Sequence, residues 1–501
     1  MRVASADNGY LMKDTCYWIN SINESRMRRL AGIYAFMVIT MVSWLFYTTI
    51  NSSNRHLLGL GVIVVLLGAL PGFVYLWRGA RSSILLLPLH GLYYSVMFGM
   101  PVFYAHINWF GMPGAAIEYS LMWVGLGLVS LYLMFLLSGA TIVKNITLQW
   151  SMPAWDSKRA YLIGWLCIAA NILEYFMRSL RHVSSLNQLL SLMGYIGIGI
   201  IFDLHLRDGI SKLQIAAFYA IALPLQLILR LGTGSLANVM IIVLYMACIY
   251  WAERRRVPMM MVVFLIMLIF LVNPVKYVYR YSIGPGDYYA NRNALRKAEL
   301  FINITWQYML GKIHISHAKS STLNRFDDLS IFTVVNQETP IQVPYWHGAT
   351  YASMLTGFIP RMLWTGKPLQ DLGNIFGRRY DILESKDSIT SLNFPWITEF
   401  YANYGGTGVI IGMALVGLAL RLIYNLFAYE HPSLVIMQCT ITVTLFFAES
   451  NLSLMWNGLI ETIITSWLIL YLCSVNNKIG DNSVNISFKK NASLNRSNYY
   501  R

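Results

Sequence analysis

Residues 57–77 read LLGLGVIVVLLGALPGFVYLW, from Leu57 to Trp77 without a charged side chain. A helix needs about 20 mainly apolar residues to cross the hydrocarbon core of a bilayer. This stretch has that length, and its apolar residues lie on every side of a helix rather than on one stripe. It reads as a transmembrane helix. Moving outward from it, eleven further stretches show the same character, so the candidates are 31–50, 57–77, 83–105, 117–138, 160–176, 187–203, 214–230, 235–252, 257–274, 404–426, 432–449 and 453–473. The fifth and sixth are the weakest, because Glu174, Arg178, Arg181 and His182 crowd the turn between them.

Composition points the same way. Hydrophobic residues make up 56% of the 501 and charged residues only 12%, with a mean hydropathy of +0.50. A soluble domain carries roughly 25% charged residues, and too few are present here to build a water-facing surface. The fold class expected is all-α: a polytopic membrane protein of about twelve transmembrane helices. The five cysteines, Cys16, Cys167, Cys248, Cys439 and Cys473, have no CxxC spacing, so neither a zinc site nor a redox pair is indicated.

The net charge of +15 acquires meaning from its distribution. With the N-terminus cytoplasmic, the short loops assigned to the inside and the two tails hold 21 of the 38 Lys and Arg, including Arg26, Arg28, Arg29, Arg78, Arg81, Arg207, Arg254, Arg255 and Arg256. The short outside loops hold Arg55, Arg178, Arg181 and Arg230. Such a bias sets orientation, so both termini are expected inside, and anionic lipid accounts for the basic charge. Nucleic acid is excluded as a partner. The expected organisation is a cytoplasmic tail over 1–30, nine helices over 31–274, one long external segment over 275–403, three helices over 404–473, and a disordered Asn-, Ser- and Lys-rich tail over 474–501. The basic tail before the first span argues for an uncleaved signal anchor.

A connection as long as 275–403 is rarely idle, and its mixed, aromatic-rich composition predicts a folded unit packed on the membrane surface. Tyr277–Tyr289 contains a Gly-Pro-Gly turn among tyrosines, which suit interfacial anchoring or glycan stacking. Over 291–315, Leu295, Ile302, Trp306, Met309 and Ile313 recur at helical spacing, interrupted by Glu299, which predicts an amphipathic interfacial helix. The apolar run 352–359, stopped by Pro360, is too short to span and predicts a helix that dips and returns. Arg361, Lys367, Arg378 and Arg379 follow within nineteen positions. Guanidinium forks and a mobile ammonium suit phosphate oxygens; the plainer reading is a solvated basic face or ordinary head-group binding.

The stretch from Gly348 to about Gly417 resembles the oligosaccharide repeat-unit polymerases, the Wzy-type O-antigen and exopolysaccharide polymerases. The residues that carry the likeness are Pro360-Arg361 with Trp364 and Lys367-Pro368, then Glu399-Phe-Tyr-Ala-Asn-Tyr-Gly and Gly406-Thr-Gly-Val-Ile-Ile-Gly-Met. They cover about a seventh of the chain; elsewhere the likeness is one of layout. The paired Arg-x10-Gly repeats of some members are not found, so roles from two-loop members do not transfer. The resemblance implies a GT-C-like, metal-independent glycosyltransferase in the bacterial inner membrane. Its substrate would be undecaprenyl-pyrophosphate-linked oligosaccharide, polymerised on the outer face of the membrane without a nucleotide sugar. No cofactor is expected, and the chain has no P-loop or Rossmann fingerprint. A chain-length regulator stays open as a protein partner.

Transfer from a glycosyl pyrophosphate requires charge stabilisation on the leaving group and a proton acceptor for the attacking hydroxyl. Arg361, Lys367, Arg378 and Arg379, with Arg280 at a greater remove, are the expected pyrophosphate ligands. Glu399 and His347 are the candidate bases; Glu399 reads equally as a salt-bridge partner of those arginines, and His347 as an interfacial aromatic. Trp364, Tyr401 and Asn403 are the expected glycan contacts. Asp327-Asp328 resembles metal-binding pairs but reads as a solvated loop, and no metal is expected. Glu461, in the last span, should face the helix bundle. Two other functions share these features: an O-antigen ligase, and a flippase or transporter of lipid-linked glycans, which should carry ionisable residues through many spans.

Overall fold

The computed structural model describes residues 7–50, 54–80, 82, 84–103, 111–143, 146, 155–177, 184–231, 236–282, 294–313, 326–354, 356–357, 364, 371–388, 390–427, 434–446 and 448–474. Among these residues the regular structure is entirely helical, apart from one isolated bridge between Trp155 and Ser474. The helices in order are α1 (Asp7–Thr49), α2 (Arg55–Trp77), α3 (Leu86–Tyr94), α4 (Gly114–Ala140), α5 (Ser157–Met177), α6 (Ser184–Leu206), α7 (Lys212–Ala217), α8 (Leu223–Leu231), α9 (Leu236–Arg254) and α10 (Met259–Ser282). There follow α11 (Ala294–Met309), α12 (Asp328–Glu338), α13 (Leu372–Arg379), α14 (Trp396–Phe427), α15 (Val435–Phe446) and α16 (Leu452–Cys473). A π turn and a 3-10 turn extend α3 to Phe103, and a second π turn joins α7 to α8.

Each of the twelve apolar stretches contains a helical segment among the described residues, and nine of the described helices are long and apolar enough to cross a membrane. The others fall short for visible reasons. Lys158, Arg159, Asn171 and Glu174 interrupt α5, the described apolar part of α10 is Met259–Ile269, and α15 has only twelve residues. Large side chains point outward along the long helices: Phe36, Trp44 and Tyr47 on α1, Leu133, Leu136 and Leu137 on α4, Ile464, Leu468 and Leu472 on α16. Exposing such rows to water would cost about 25 cal/mol per Å²; a bilayer removes that cost. The chain has the fold of a helical membrane protein.

Close approach of small residues packs the bundle. Gly68 and Gly91 bring α2 and α3 into backbone contact, where a Cβ on Gly91 would strike the Gly68 carbonyl. One turn along, the Ser95 hydroxyl donates to the Val65 carbonyl at 2.9 Å. Gly417 lies on the Leu131 carbonyl, and Gly127 lies between Val409 and Met413, which aligns α14 with α4.

At one end of the bundle, arginines tie helix ends together. Arg255 Nη1 donates to the Ala80 and Ser82 carbonyls at 3.0 and 2.8 Å, and Arg207 pairs with Asp203 at 3.1 Å and Glu253 at 2.9 Å. At the other end, Glu118 on α4 accepts from Asn54 Nδ2 at 2.8 Å and meets His56 Nδ1 at 3.0 Å, beside the start of α2. We call these the arginine end and the loop end.

Several expectations change. The N-terminal helix starts at Asp7, well before residue 31, and its apolar part is Glu24–Thr49. The long segment is not simply laid on the surface. Asp328, at the start of α12, accepts a hydrogen bond from the Tyr93 phenol at 2.6 Å, and the Trp396 ring packs tilted against His90 at 5.3 Å between ring centroids. His90 and Tyr93 flank Gly91, which is level with the middle of α2. From these depths α12 and Trp396–Asn403 rise toward the loop end, where Asn336 Nδ2 donates to Ser120 Oγ at 2.8 Å. The run expected to dip forms a 3-10 turn over Ala349–Met354; residues 358–363 lie outside the described residues. Asp327 and Asp328 make no solvated loop: Asp327 caps α12 through the Ser330 N–H at 3.0 Å, and Asp328 is buried. Burial raises the Asp327 carboxyl above its ordinary range. Arg230 and Glu174 are not loop residues either. Both are buried within the bundle around Asn171, with the Arg230 guanidinium 3.8 Å from the centre of the Tyr195 ring.

The amphipathic helix is present as α11. Ala298, Phe301 and Ile304 are its packed side, while Ile302, Trp306 and Met309 are exposed next to a polar row in which Arg296 pairs with Glu299. An apolar strip beside a polar strip suits a membrane interface.

Candidate functional site

The site is built on a break in α14. Tyr404 (φ −145°, ψ 17°) and Gly405 (φ 63°, ψ −152°) leave helical geometry, and the chain reverses there. Phe400 consequently packs on Gly408 and Gly412 from the far side of the break. Only glycine occupies the Gly405 conformation without strain, and a Cβ there would also meet the Tyr345 hydroxyl at 2.7 Å. The rising half, Trp396–Asn403, thus forms one arm of a helical hairpin whose other arm is the long helix beyond Gly405. Broken helices of this kind place backbone and polar groups inside membrane proteins, where protein can satisfy them.

The segment 344–351 docks on that apex. The Trp346 N–H donates to the Ala402 carbonyl at 3.1 Å. Asn403, buried completely, acts as the clamp: its Oδ1 accepts from the Gly348 N–H at 2.7 Å, and its Nδ2 donates to Thr350 Oγ1 at 2.9 Å and to the Glu399 carbonyl at 2.8 Å. The loop turns at His347 (φ 49°) and Gly348 (φ 86°), which leaves His347 exposed with its ring 6.0 Å from that of Tyr345.

Glu399 is also completely buried. Its Oε2 accepts the N–H of Leu452, the first residue of α16, at 2.7 Å. Its Oε1 is buried with the Thr350 hydroxyl nearby and no hydrogen bond of good geometry closing on it. The carboxylate therefore sits on a helix N-terminus, where negative charge is favoured. Neither Arg378 nor Arg379 forms an ion pair with it. Ser453 on the same helix end donates to the Thr350 carbonyl at 2.8 Å, and Asn457 Nδ2 reaches the Ser353 carbonyl at 3.3 Å. Beside this cluster, burial pushes the Tyr351 phenol far above its ordinary value, and the Glu399 carboxylate adds to the effect.

The cations enter through α13, whose last turn carries Arg378 and Arg379. Arg379 Nη2 donates to the Pro344 carbonyl at 2.7 Å, and its guanidinium lies 4.2 Å from the centre of the Trp346 ring. Arg378 Nε is buried without a hydrogen-bond partner. Tyr380 anchors the end of α13 through a 2.7 Å bond with Thr339 Oγ1, and burial raises its phenol. The short strip Pro344–Gly348 thus joins an arginine at one end to the broken helix at the other.

Of the residues expected from the sequence, the structure brings together His347, Arg379, Glu399, Tyr401 and Asn403. Tyr401 and Asn403 are buried, and Trp364 is exposed. Arg361 and Lys367 lie outside the described residues, and for Arg280 only the helical backbone is described. Trp346, Thr350 and the Leu452 N–H were not foreseen. The run Tyr345-Trp346-His347-Gly348 carried a signal for the first, aromatic residues ending in a turn glycine. No sequence signal marks a backbone N–H that lies fifty-three positions from its acceptor. Among the described residues no group of three or more His, Cys, Asp and Glu side chains is arranged to hold a metal ion.

Residues 128–478 match the family model described as a domain of unknown function, DUF8712. The chain belongs to this family. The DUF8712 region runs from within α4 to just past α16, so it takes in the hairpin, the strip, the cations and the capped α16. It leaves out α1 to α3, and with them His90 and Tyr93, on which the two rising helices stand. No curated protein and no solved structure matches the chain.

Proposed function

We propose that this protein is a membrane glycosyltransferase that polymerises undecaprenyl-pyrophosphate-linked oligosaccharide repeat units into O-antigen or exopolysaccharide. The observation that carries the reading is the Arg379–Trp346 stack beside the hairpin apex: a cation fixed on an aromatic strip at one end of a helical membrane bundle. The Pro344 carbonyl and the Trp346 ring hold the guanidinium in place, so little ordering remains when it meets an anion. With Arg378 beside it, and Arg361 and Lys367 following Pro360, it would stabilise the pyrophosphate as it departs.

The step joins the acceptor hydroxyl oxygen to the anomeric carbon of the donor. The bond from that carbon to the pyrophosphate oxygen breaks, and its electron pair leaves with the lipid. The hydroxyl proton goes to the exposed imidazole of His347, the side chain that most often takes a proton in such steps. Glu399 acts by holding the loop and α16 in register. In this reading the chain crosses the bacterial inner membrane twelve times with both termini cytoplasmic. The loop end is external, the step is metal-independent, and a chain-length regulator is a further partner.

A ligase would use the same donor and cations. The buried Glu174 and Arg230 favour a different class, a transporter of lipid-linked glycans, since intramembrane charges often mark pathways. One experiment separates the three: the glycan length profile of cells lacking the protein, with the location of lipid-linked material. Products stalled at one repeat unit on the outer face, restored by the intact gene, support the polymerase. Long lipid-linked chains that never reach their acceptor indicate a ligase, and single units trapped inside indicate a transporter.

A further inference from the structure

We propose that Tyr404, Tyr345 and Tyr119 form a stacking platform for a pyranose ring, with His347 at its edge. The assignment rests on the glycosyltransferase reading and names a subsite of it. Tyr404 and Tyr345 stand at the hairpin apex, and Tyr119 lies on α4 beside Trp123, which packs on Gly406 just past it. Tyr404 is 50% exposed at the reversal itself, with its hydroxyl placed where a Cβ on Gly348 would come within 2.6 Å. The Tyr345 hydroxyl stands reciprocally over Gly405. Tyr119 adjoins the Tyr401 phenol, which is buried and packs edge-on against Trp123 at 6.4 Å to form the inner wall. Tyr119 is 44% exposed and packs edge-on against Trp123 at 5.8 Å, and Trp123 in turn fills the space above Gly406. The rings are therefore fixed by backbone that cannot take a side chain, which makes a rigid surface rather than a loose aromatic fringe.

Such a surface fits a sugar. The C–H bonds on one face of a pyranose carry partial positive charge and match the negative face of an aromatic ring, while its hydroxyls project sideways. Polar groups stand where those hydroxyls would emerge: His347 next to Tyr345 and Arg379 on the neighbouring Trp346. That rim also argues against a bilayer as the occupant. Sinking Tyr119 into hydrocarbon would carry with it the Glu118 carboxylate and its partner His56, whose side chain is 73% exposed. Burying such charges is costly. The ring class is accordingly one with an unsubstituted C–H face, placed so that a neighbouring hydroxyl meets the His347 imidazole.

The test uses full-length protein in lipid nanodiscs. The probe is the free oligosaccharide released by mild acid from glycolipid that accumulates in cells lacking the protein, with binding followed by saturation-transfer NMR. Tyr404→Ala and Tyr119→Ala should each weaken binding about tenfold, while Tyr404→Phe, which keeps the ring, should bind within about twofold of the parent. A Tyr404→Cys variant should react with a membrane-impermeant maleimide and be protected by the oligosaccharide. Unchanged binding in both alanine variants, or an introduced thiol that resists the reagent, overturns the platform while the function stands. If no glycolipid accumulates, the function itself fails, and the platform with it.

Discussion

Glu399 and Leu452 are fifty-three residues apart, yet the carboxylate of one caps the backbone N–H of the other at 2.7 Å. The contact ties the rising arm of the hairpin to the first turn of α16, and the loop that carries His347 is bonded to both. Removing the acceptor should therefore loosen the loop as well as the helix end. Glu399→Ala leaves a buried N–H without a partner and should cost about 1–3 kcal/mol; Glu399→Gln keeps an acceptor and should cost less. Thermal unfolding in detergent measures both. Equal and negligible shifts would mean that the cap has no structural role.

How much of this was legible beforehand differs by element. The helices were, because twenty apolar residues in a row leave the backbone no other way to satisfy its polar groups in lipid. The strip before Gly348 was half legible, since His347 and the Arg378-Arg379 pair stood out by residue type. The role of Glu399 was not. Its partner is a main-chain group set by the approach of two distant helices, and a carboxylate near arginines invites the wrong pairing. Nor did periodicity reveal that Trp396–Asn403 is a separate arm, since its apolar pattern runs on into the span and only Gly405 marks the break. Asp327-Asp328 resembled a loop because their partners, a helix N-terminus and the Tyr93 phenol, lie in the fold rather than beside them.

Gly405 is the second point of test. Alanine there would hold φ near 63° with ψ near −152°, a region essentially reserved for glycine, at about 1–3 kcal/mol for the conformation alone, and its Cβ would press on the Tyr345 hydroxyl. Gly405→Ala should lower polymer output strongly and reduce thermal stability. Gly406→Ala is not an innocent control, since Trp123 fills that space. Gly59→Ala, where no atom lies within 4 Å of an added Cβ, should leave both readouts unchanged. Normal stability and output from Gly405→Ala would contradict the hairpin apex as described.

Tyr93 and Asp328 supply a third. Their 2.6 Å bond is buried and joins α3 to the foot of α12. Tyr93→Phe removes a buried charge-assisted hydrogen bond and should cost about 1–3 kcal/mol. In a double-mutant cycle with Asp328→Asn the two effects should fall short of additivity, as expected for residues in contact. Full additivity would place the two side chains apart.

Arg379 distinguishes charge from shape. Lysine keeps the charge but loses the planar fork and its stacking on Trp346. Arg379→Ala should reduce polymer formation about 10²–10³-fold, the usual cost of losing one transition-state contact, and Arg379→Lys should recover part of it. Protein levels, read on the same samples, must stay constant for the comparison to count. Equal activity of all three would remove Arg379 from the anion site.

The most direct measurement is transfer by the purified full-length protein in nanodiscs, supplied with glycolipid extracted from cells that lack it. The intact protein should give a ladder of products longer by whole repeat units, with one undecaprenyl pyrophosphate released per addition, and Arg379→Ala should form it about 10²–10³-fold more slowly. Glycolipid that stays at a single repeat unit in the presence of the intact protein would contradict the polymerase assignment.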